Sequence, residues 1–225
     1  MKIELAQTSI ALIGAHYMLN ITKNQDKGGL MYEAKKYDSI KALDGISEQT
    51  MTEHYKLYEG YVKKYNEITD KLSVVDLTTA NQVFSDIRSL KIDLTFAIGG
   101  IKNHEIYFDH LGGNGGQPSG KLLERIEKDF GSFAKWQADM KATAMAARGW
   151  AWLAYDWDIK KLMNYIGDAQ NTFPVWNATP IIALDVYEHA YFLDFQTKRA
   201  DYIEAFFKNL DWGGIEKSFV EHEFN

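Results

Sequence analysis

The chain has 225 residues, of which 46% are hydrophobic and 14% aromatic, and it carries a formal net charge of −6. This composition excludes a disordered chain, because it supplies enough apolar surface for one large domain or two small ones. The acidic balance, with no basic run along the chain, argues against a nucleic-acid partner. The absence of cysteine excludes a disulfide framework, a thiolate metal site and a thiol nucleophile. A bound metal would need nitrogen and oxygen ligands, which suit manganese or iron better than a structural zinc ion.

Residues 1–31 form an N-terminal extension. Residues 3–21 are mildly apolar, but polar side chains such as Gln7 and His16 interrupt them. The extension therefore lacks the continuous apolar centre of a secretory signal and is too interrupted for a membrane span. Residues 24–29 are typical of a flexible linker. We expect a cytoplasmic protein with no membrane partner, with export as the minority alternative.

A first long helix is predicted to begin near Ser47, which is a good N-cap with Glu48 in the first turn. Steps of four, three, four and three residues then place one stripe of side chains on a single face: His54, Tyr58, Tyr61, Tyr65 and Ile68. On this pattern alone the stripe is part of a core, and a single histidine within it is more often a core residue than a ligand.

A second long helix is predicted over residues 79–111. Its residues Phe96, Gly100, His104 and Phe108 share one face. A glycine inside a helix costs about 1 kcal/mol relative to alanine, so we expect the Gly99-Gly100 pair to have a packing reason.

The glycine-rich residues 112–120 indicate a joint between two domains. Two amphipathic helices follow, over residues 121–130 and 133–147, and then three strands, over residues 149–155, 162–166 and 180–184. The predicted fold class is α+β: an N-terminal helical hairpin domain at 32–116, and a C-terminal domain at 117–225 with a three-stranded antiparallel sheet flanked by helices.

Asp185 lies directly after the last predicted strand, and residues 188–206 have helical spacing. In an extended chain Asp185 and His189 would stand roughly 13 Å apart, since each residue adds about 3.3 Å. A helical turn between them would bring their Cβ atoms within about 5–6 Å, close enough to share one metal ion. Taken alone, this spacing is more often a buried Asp–His hydrogen bond.

The stretch Asp185-Val186-Tyr187-Glu188-His189-Ala190-Tyr191 resembles the signature of the iron/manganese superoxide dismutases, with Tyr187 where that family usually has Trp. The resemblance continues, in the family's order, through residues 37–50, 99–104, 130–133, 149–153, 201–202 and 209–212. It implies a dismutase that converts superoxide to dioxygen and hydrogen peroxide.

The same resemblance implies a metal site. Its four ligands to one mononuclear ion would be His54, His104, Asp185 and His189. Tyr61 would gate the substrate funnel, although the first helix is one residue shorter before it than is usual in the family. A glycine at position 100 together with Gln170 in a later loop is the manganese-type arrangement, so manganese is preferred to iron. Trp150, Tyr187 and Trp152 would wall the site.

The resemblance also implies a homodimer or tetramer in which Glu188 reaches His189 of the partner subunit. Tyr58 and Phe192 stand where the family has a His and a Tyr that meet across this interface. We hypothesise that aromatic packing between subunits replaces that polar link. Two other functions remain open: a mononuclear iron enzyme built on two His and one carboxylate, and a non-catalytic scaffold of the same fold.

Overall fold

The computed structural model describes residues 21–23, 30–172 and 175–222. The predicted linker at 24–29 and most of the N-terminal extension lie outside these residues. On either side of the linker, β1 (Ile21–Lys23) and β2 (Leu30–Tyr32) pair antiparallel. None of the helices in the described residues is long and apolar enough to cross a lipid bilayer.

Two long helices form the N-terminal half, as predicted: α1 (Glu48–Leu72) and α2 (Asp86–Asp109). The α1 helix begins where Ser47 is expected to cap it, because the Ser47 side chain accepts a hydrogen bond from the Thr50 amide at 3.1 Å. The two helices pack along their length and carry part of the core at their interface.

The predicted start of the second helix at residue 79 is wrong, because α2 begins at Asp86. The Asp76 side chain accepts from the Thr78 amide, and residues Leu77–Thr79 form a short 3-10 turn. The Asn81 side chain accepts from the amides of Val83 and Phe84. These side chains satisfy backbone groups that a helix would otherwise bond, and so they hold the segment as turns.

The C-terminal half contains α3 (Gly120–Phe130), α4 (Phe133–Ala146) and a sheet of β3 (Trp150–Asp156), β4 (Lys161–Gly167) and β5 (Ala178–Asp185). The sheet is antiparallel with β3 in its centre, and this confirms the predicted α+β class with a three-stranded sheet. Most of β3 is buried, as expected of a central strand between helical layers.

The predicted continuous helix over residues 188–206 is wrong. A 3-10 turn at Glu188–Ala190 leads into a single turn, α5 (Phe192–Phe195), and then α6 (Arg199–Lys208) and α7 (Trp212–Glu221) follow. Gln196 has a left-handed backbone with φ of 52°, which ends α5. The break lets α6 turn back over the end of β5, where it meets the buried Asp185.

Candidate metal centre

Asp185 is fully buried at the end of β5, where it lies opposite Trp150 of β3. Its backbone carbonyl accepts a hydrogen bond from the Tyr202 hydroxyl at 2.7 Å. Its side-chain Oδ1 accepts from the Tyr187 amide at 2.9 Å, so one carboxylate oxygen is held by the protein backbone. The other oxygen, Oδ2, is left to face the helices.

Three imidazoles converge on that single oxygen. The Nε2 atoms of His54 and His189 each lie 3.1 Å from Asp185 Oδ2, and Nε2 of His104 lies 3.6 Å from it. The possible ligand atoms of these four residues all lie within 4.8 Å of one another. We call His54, His104, Asp185 and His189 the histidine cluster. The four predicted ligand positions are therefore together in space.

Each half of the molecule supplies two members of the cluster. His54 comes from α1 and His104 from α2, and both side chains are fully buried, with ring centroids 4.9 Å apart. His189 lies in the 3-10 turn after β5, and its ring stacks on Tyr187 at 5.3 Å. The cluster therefore exists only when the helical hairpin is packed on the sheet.

The hydrogen bonds fix the proton position on His104. Its Nδ1 lies 2.6 Å from the Gly100 carbonyl oxygen, which can only accept, so Nδ1 carries the hydrogen. Burial, together with the neighbouring His54, lowers the pKa of His104 to about 3, so the ring is neutral near pH 7. Nε2 therefore presents a lone pair to the Asp185 carboxylate, and it has no hydrogen-bond partner within the described residues.

The pKa values of the other three members of the histidine cluster are also shifted by burial and by neighbouring residues of the cluster. Burial lowers the pKa of His54, although Asp185 opposes that change. Burial alone would raise the pKa of Asp185, but His189 and His54 outweigh it and hold the carboxyl ionised. Burial also disfavours charge on His189, but Asp185 outweighs it and raises the pKa of that ring. The cluster thus combines one carboxylate with two imidazoles that resist protonation.

Gln170, predicted to act beside the metal, is buried at the edge of the cluster. Its Oε1 accepts from Trp150 Nε1 at 3.1 Å, and its Nε2 donates to the Tyr61 hydroxyl at 3.3 Å. The side-chain Nδ2 of Asn103 lies 3.5 Å from the same Oε1. Both side-chain ends of Gln170 are therefore held by neighbours.

Tyr61 keeps its place beside the cluster despite the shortened helix. Its ring lies 5.5 Å from that of His104. Residue 61 is seven positions after His54, and seven residues make about two helical turns, so both side chains leave α1 on nearly the same face. Burial and the charge of Asp185 raise the pKa of Tyr61, while the Gln170 hydrogen bond lowers it.

Two of the three predicted wall residues contact the cluster. Trp150 meets the edge of His104 at 5.2 Å, and Tyr187 covers His189. Trp152 stacks behind Trp150 at 6.3 Å and on Tyr165, so it supports the wall from the far side.

The hypothesis that Tyr58 packs on a partner subunit is wrong, because Tyr58 is fully buried within its own chain. Its hydroxyl donates to Glu105 Oε1 at 2.9 Å and accepts from the Lys35 amide at 2.9 Å. The Lys35 ammonium pairs with Glu105 Oε2 at 2.8 Å. We call Lys35, Tyr58 and Glu105 the Lys35 clamp. The sequence did not indicate Lys35 or Glu105, because their partners lie far apart along the chain.

The comparisons with known proteins agree with this geometry. Residues 35–112 match the alpha-hairpin domain of the iron/manganese superoxide dismutases, and residues 118–218 match the C-terminal domain of the same family. A superoxide dismutase [Fe] of Aquifex pyrophilus is 41% identical over 192 residues, which cover 83% of this chain and 90% of the relative. A superoxide dismutase [Fe] of Cupriavidus metallidurans is 39% identical, over 81% of this chain and 93% of the relative. A superoxide dismutase [Mn] of Haloarcula marismortui is 36% identical, over 83% of this chain and 89% of the relative.

Proposed function

The chain belongs to the iron/manganese superoxide dismutase family and acts on superoxide, and we propose that its histidine cluster holds one metal ion per subunit, manganese in preference to iron. The reaction oxidises one superoxide to dioxygen and reduces a second to hydrogen peroxide, with uptake of two protons. We further propose that the family's two domains divide the chain at 32–116 and 117–225, after an extension at 1–31.

The lone pair of His104 is the observation that carries the proposed site. A neutral imidazole whose Nδ1–H is bonded to the Gly100 carbonyl directs Nε2 toward Asp185 Oδ2, 3.6 Å away. Two electron-rich atoms facing each other in a buried space repel one another, and a cation between them turns that repulsion into two bonds. The residues present therefore fit a metal ion.

The donor set also fits the metal type. Three neutral imidazoles and one carboxylate bring a single negative charge, which suits a hard-to-borderline ion such as manganese or iron. Manganese favours six-coordinate geometry, so four protein ligands would leave room for solvent or substrate on the bound ion. The third histidine separates this set from the two-His, one-carboxylate sites of mononuclear iron oxygenases, which keep more positions open. When bound, the metal supplies the one-electron chemistry, alternating between two oxidation states.

The protein residues hold protons and exclude water. Because burial raises the pKa of Tyr61, its hydroxyl keeps its proton near pH 7 and can donate it at Oη. Gln170 donates Nε2–H to that hydroxyl and is itself held by Trp150, so the amide has a fixed orientation. Trp150 and Tyr187 place apolar surface against two of the imidazoles and limit solvent access.

The preference for manganese rests on Gly100 and Gln170. The space in front of Gly100 is filled by the Tyr61 ring, since a Cβ at position 100 would lie 2.6 Å from two of its ring atoms. The side-chain amide beside the histidine cluster therefore comes from Gln170 in the later loop and not from position 100. In the family this arrangement is typical of manganese enzymes. The relatives named above include both iron and manganese enzymes, so the preference rests on Gly100 and Gln170 and not on the names of the relatives.

We propose that two or four subunits assemble through Glu188 and His189. Glu188 is exposed, and the His189 side chain is 28% exposed, the most accessible of the four cluster members. The turn that carries Glu188 and His189 contacts α1, and exposed apolar side chains occur on α1 and on α5, namely Leu57, Phe192 and Leu193. Such a surface is typical of a protein contact.

Reconstitution of the purified full-length protein tests the proposal. We expect one manganese or iron ion per subunit and the highest superoxide turnover per bound metal with manganese. Zinc is the matched control, because it binds nitrogen and oxygen ligands but has no redox chemistry, so occupancy without turnover is expected.

Turnover by the zinc form, or no turnover with either redox metal at full occupancy, would overturn the proposed function. Higher turnover with iron would overturn the metal preference alone. Sedimentation of the loaded protein measures its mass, and a monomer would contradict the proposed assembly.

A further inference from the structure

The loop that carries Gln170 lies along one face of α2. Thr95, Gly99 and Asn103 are spaced by four residues and therefore share that face. At one end of the loop, the side-chain Nδ2 of Asn171 donates to Thr95 Oγ1 at 2.8 Å. At the other end, the side-chain Nδ2 of Asn103 donates to the Gln170 backbone oxygen at 3.4 Å. Two hydrogen bonds thus attach the loop to the helix, with Gly99 between them.

The contact at Gly99 is the closest part of this attachment. A Cβ at position 99 would lie 2.0 Å from the Gln170 backbone oxygen and 2.7 Å from its carbonyl carbon. These are backbone atoms, so a side-chain rotation cannot relieve the clash. A residue larger than glycine would therefore push the loop away from α2 by about 1 Å or more, if ordinary contact distances are to be restored.

We propose that Gly99 is a positioning residue for Gln170: by having no side chain, it sets how closely the Gln170 amide approaches Tyr61 and the histidine cluster. This inference rests on the proposed role of Gln170. It explains the first glycine of the Gly99-Gly100 pair, which otherwise weakens α2, while the second glycine receives the Tyr61 ring. The pair thus accommodates both partners of the Gln170–Tyr61 hydrogen bond.

The test compares three variants of the metal-loaded, full-length protein with a control. Gly99→Ala introduces the clash. Asn171→Ala keeps Gly99 but removes the hydrogen bond at the far end of the loop, so it covers the case in which Gly99→Ala does not fold. Gln170→Ala is the reference for complete loss of the amide. Gly60→Ala is the control, because a Cβ there meets nothing within 4 Å although residue 60 adjoins Tyr61.

In crystals of loaded Gly99→Ala, we expect the Gln170 Nε2 to Tyr61 Oη distance to exceed its present 3.3 Å by about 1 Å. Turnover should fall about tenfold or more, since misplacement by about 1 Å can cost 10²-fold. The reduction potential should move in the same direction as in Gln170→Ala, with metal content retained. Asn171→Ala should show a smaller change of the same sign, and Gly60→Ala should match the parent.

Two outcomes separate the failure of this inference from the failure of the proposed function. If the Gln170 loop keeps its position in Gly99→Ala, or if Gly99→Ala and Asn171→Ala both match Gly60→Ala in turnover and potential, Gly99 does not position Gln170. If Gln170→Ala itself leaves turnover and potential unchanged, the proposed role of Gln170 is overturned, and with it the functional part of this inference.

Discussion

Helices α1 and α2 contribute neighbouring buried residues to two polar groups, the histidine cluster and the Lys35 clamp. His54 and Tyr58 are one helical turn apart on α1, and His104 and Glu105 are adjacent on α2. In the Lys35 clamp, the Tyr58 hydroxyl and both Glu105 oxygens have partners between 2.8 and 2.9 Å. In the histidine cluster, His54 Nδ1 and His104 Nε2 have none among the described residues.

The difference separates a structural polar group from a functional one. A buried polar group without a partner costs about 1–3 kcal/mol, so His104 Nε2, which lacks a hydrogen-bond partner and faces the Asp185 carboxylate, is expected to bind something there. An unpartnered atom is not sufficient by itself. His110 is also buried with an unpartnered Nδ1, but within the described residues it belongs to no group of converging ligand atoms. Convergence together with a missing partner marks the proposed metal site.

His104→Ala should have the largest effect. It removes one of the four proposed ligands, so we expect loss of the bound metal and a fall in superoxide turnover of about 10³-fold or more. His110→Ala is the matched control, because this histidine is also buried and lies directly after the same helix, and it should keep both metal and turnover. Metal content and turnover are measured on both variants. A His104→Ala protein that retains full metal and activity would remove this residue from the site.

Acid should destabilise the metal-free protein through its histidines. The pKa values of His104 and His110 are lowered by burial to about 3 and about 4, and that of His54 is lowered in the same way. Below about pH 6.5 these histidines bind protons in the unfolded chain but not in the folded protein. The free energy of unfolding therefore falls by up to about 1.4 kcal/mol per pH unit for each ring. His189, whose pKa is raised by Asp185, acts at higher pH: its contribution to stability is complete below about pH 6.5 and is lost as the pH rises above that value.

Urea unfolding of the metal-free protein between about pH 7 and pH 4 measures the effect. The free energy of unfolding should decrease as the pH falls below about 6.5, because the unfolded chain then binds more protons than the buried rings of His54 and His104. The metal-loaded protein should lose its metal over the same range, because protons compete for the same nitrogen atoms. Stability that increases as the pH falls from about 6 to about 4 would contradict the neutral state assigned to His54 and His104.

Glu105→Ala should show the smallest effect on catalysis. It leaves the Tyr58 hydroxyl without its acceptor and Lys35 without its ion pair, so we expect a loss of about 2 kcal/mol in the free energy of unfolding. The metal-loaded variant should keep its turnover per bound metal, because the Lys35 clamp contributes no ligand. Glu53→Ala, which breaks an exposed pair with Lys56, is the control and should cost less than about 0.5 kcal/mol. A large loss of turnover per metal in Glu105→Ala would mean that the two groups are coupled.

The sequence predicted the parts of this molecule whose signals are local or carried by a family motif. The strand before Asp185 and the four histidine-cluster positions fall into that class. The predicted start of α2 was wrong. Side-chain hydrogen bonds of Asp76 and Asn81 hold the preceding residues as turns, and the spacing of apolar residues does not reveal such bonds. The Lys35 clamp depends on partners 23 and 47 residues apart in the chain, and neither motif nor periodicity indicates such a pairing.

The four members of the histidine cluster are spread from position 54 to position 189 of the chain. During synthesis the two helix histidines emerge long before Asp185 and His189, and the emerging hairpin can offer an ion only half of a coordination shell. Tight binding must wait until β5 and the turn after it have docked. If the histidine cluster holds the ion as proposed, the choice of ion would be made late in biogenesis, among the ions present where the finished polypeptide folds, and metal supply at that moment would act together with the affinity of the mature site.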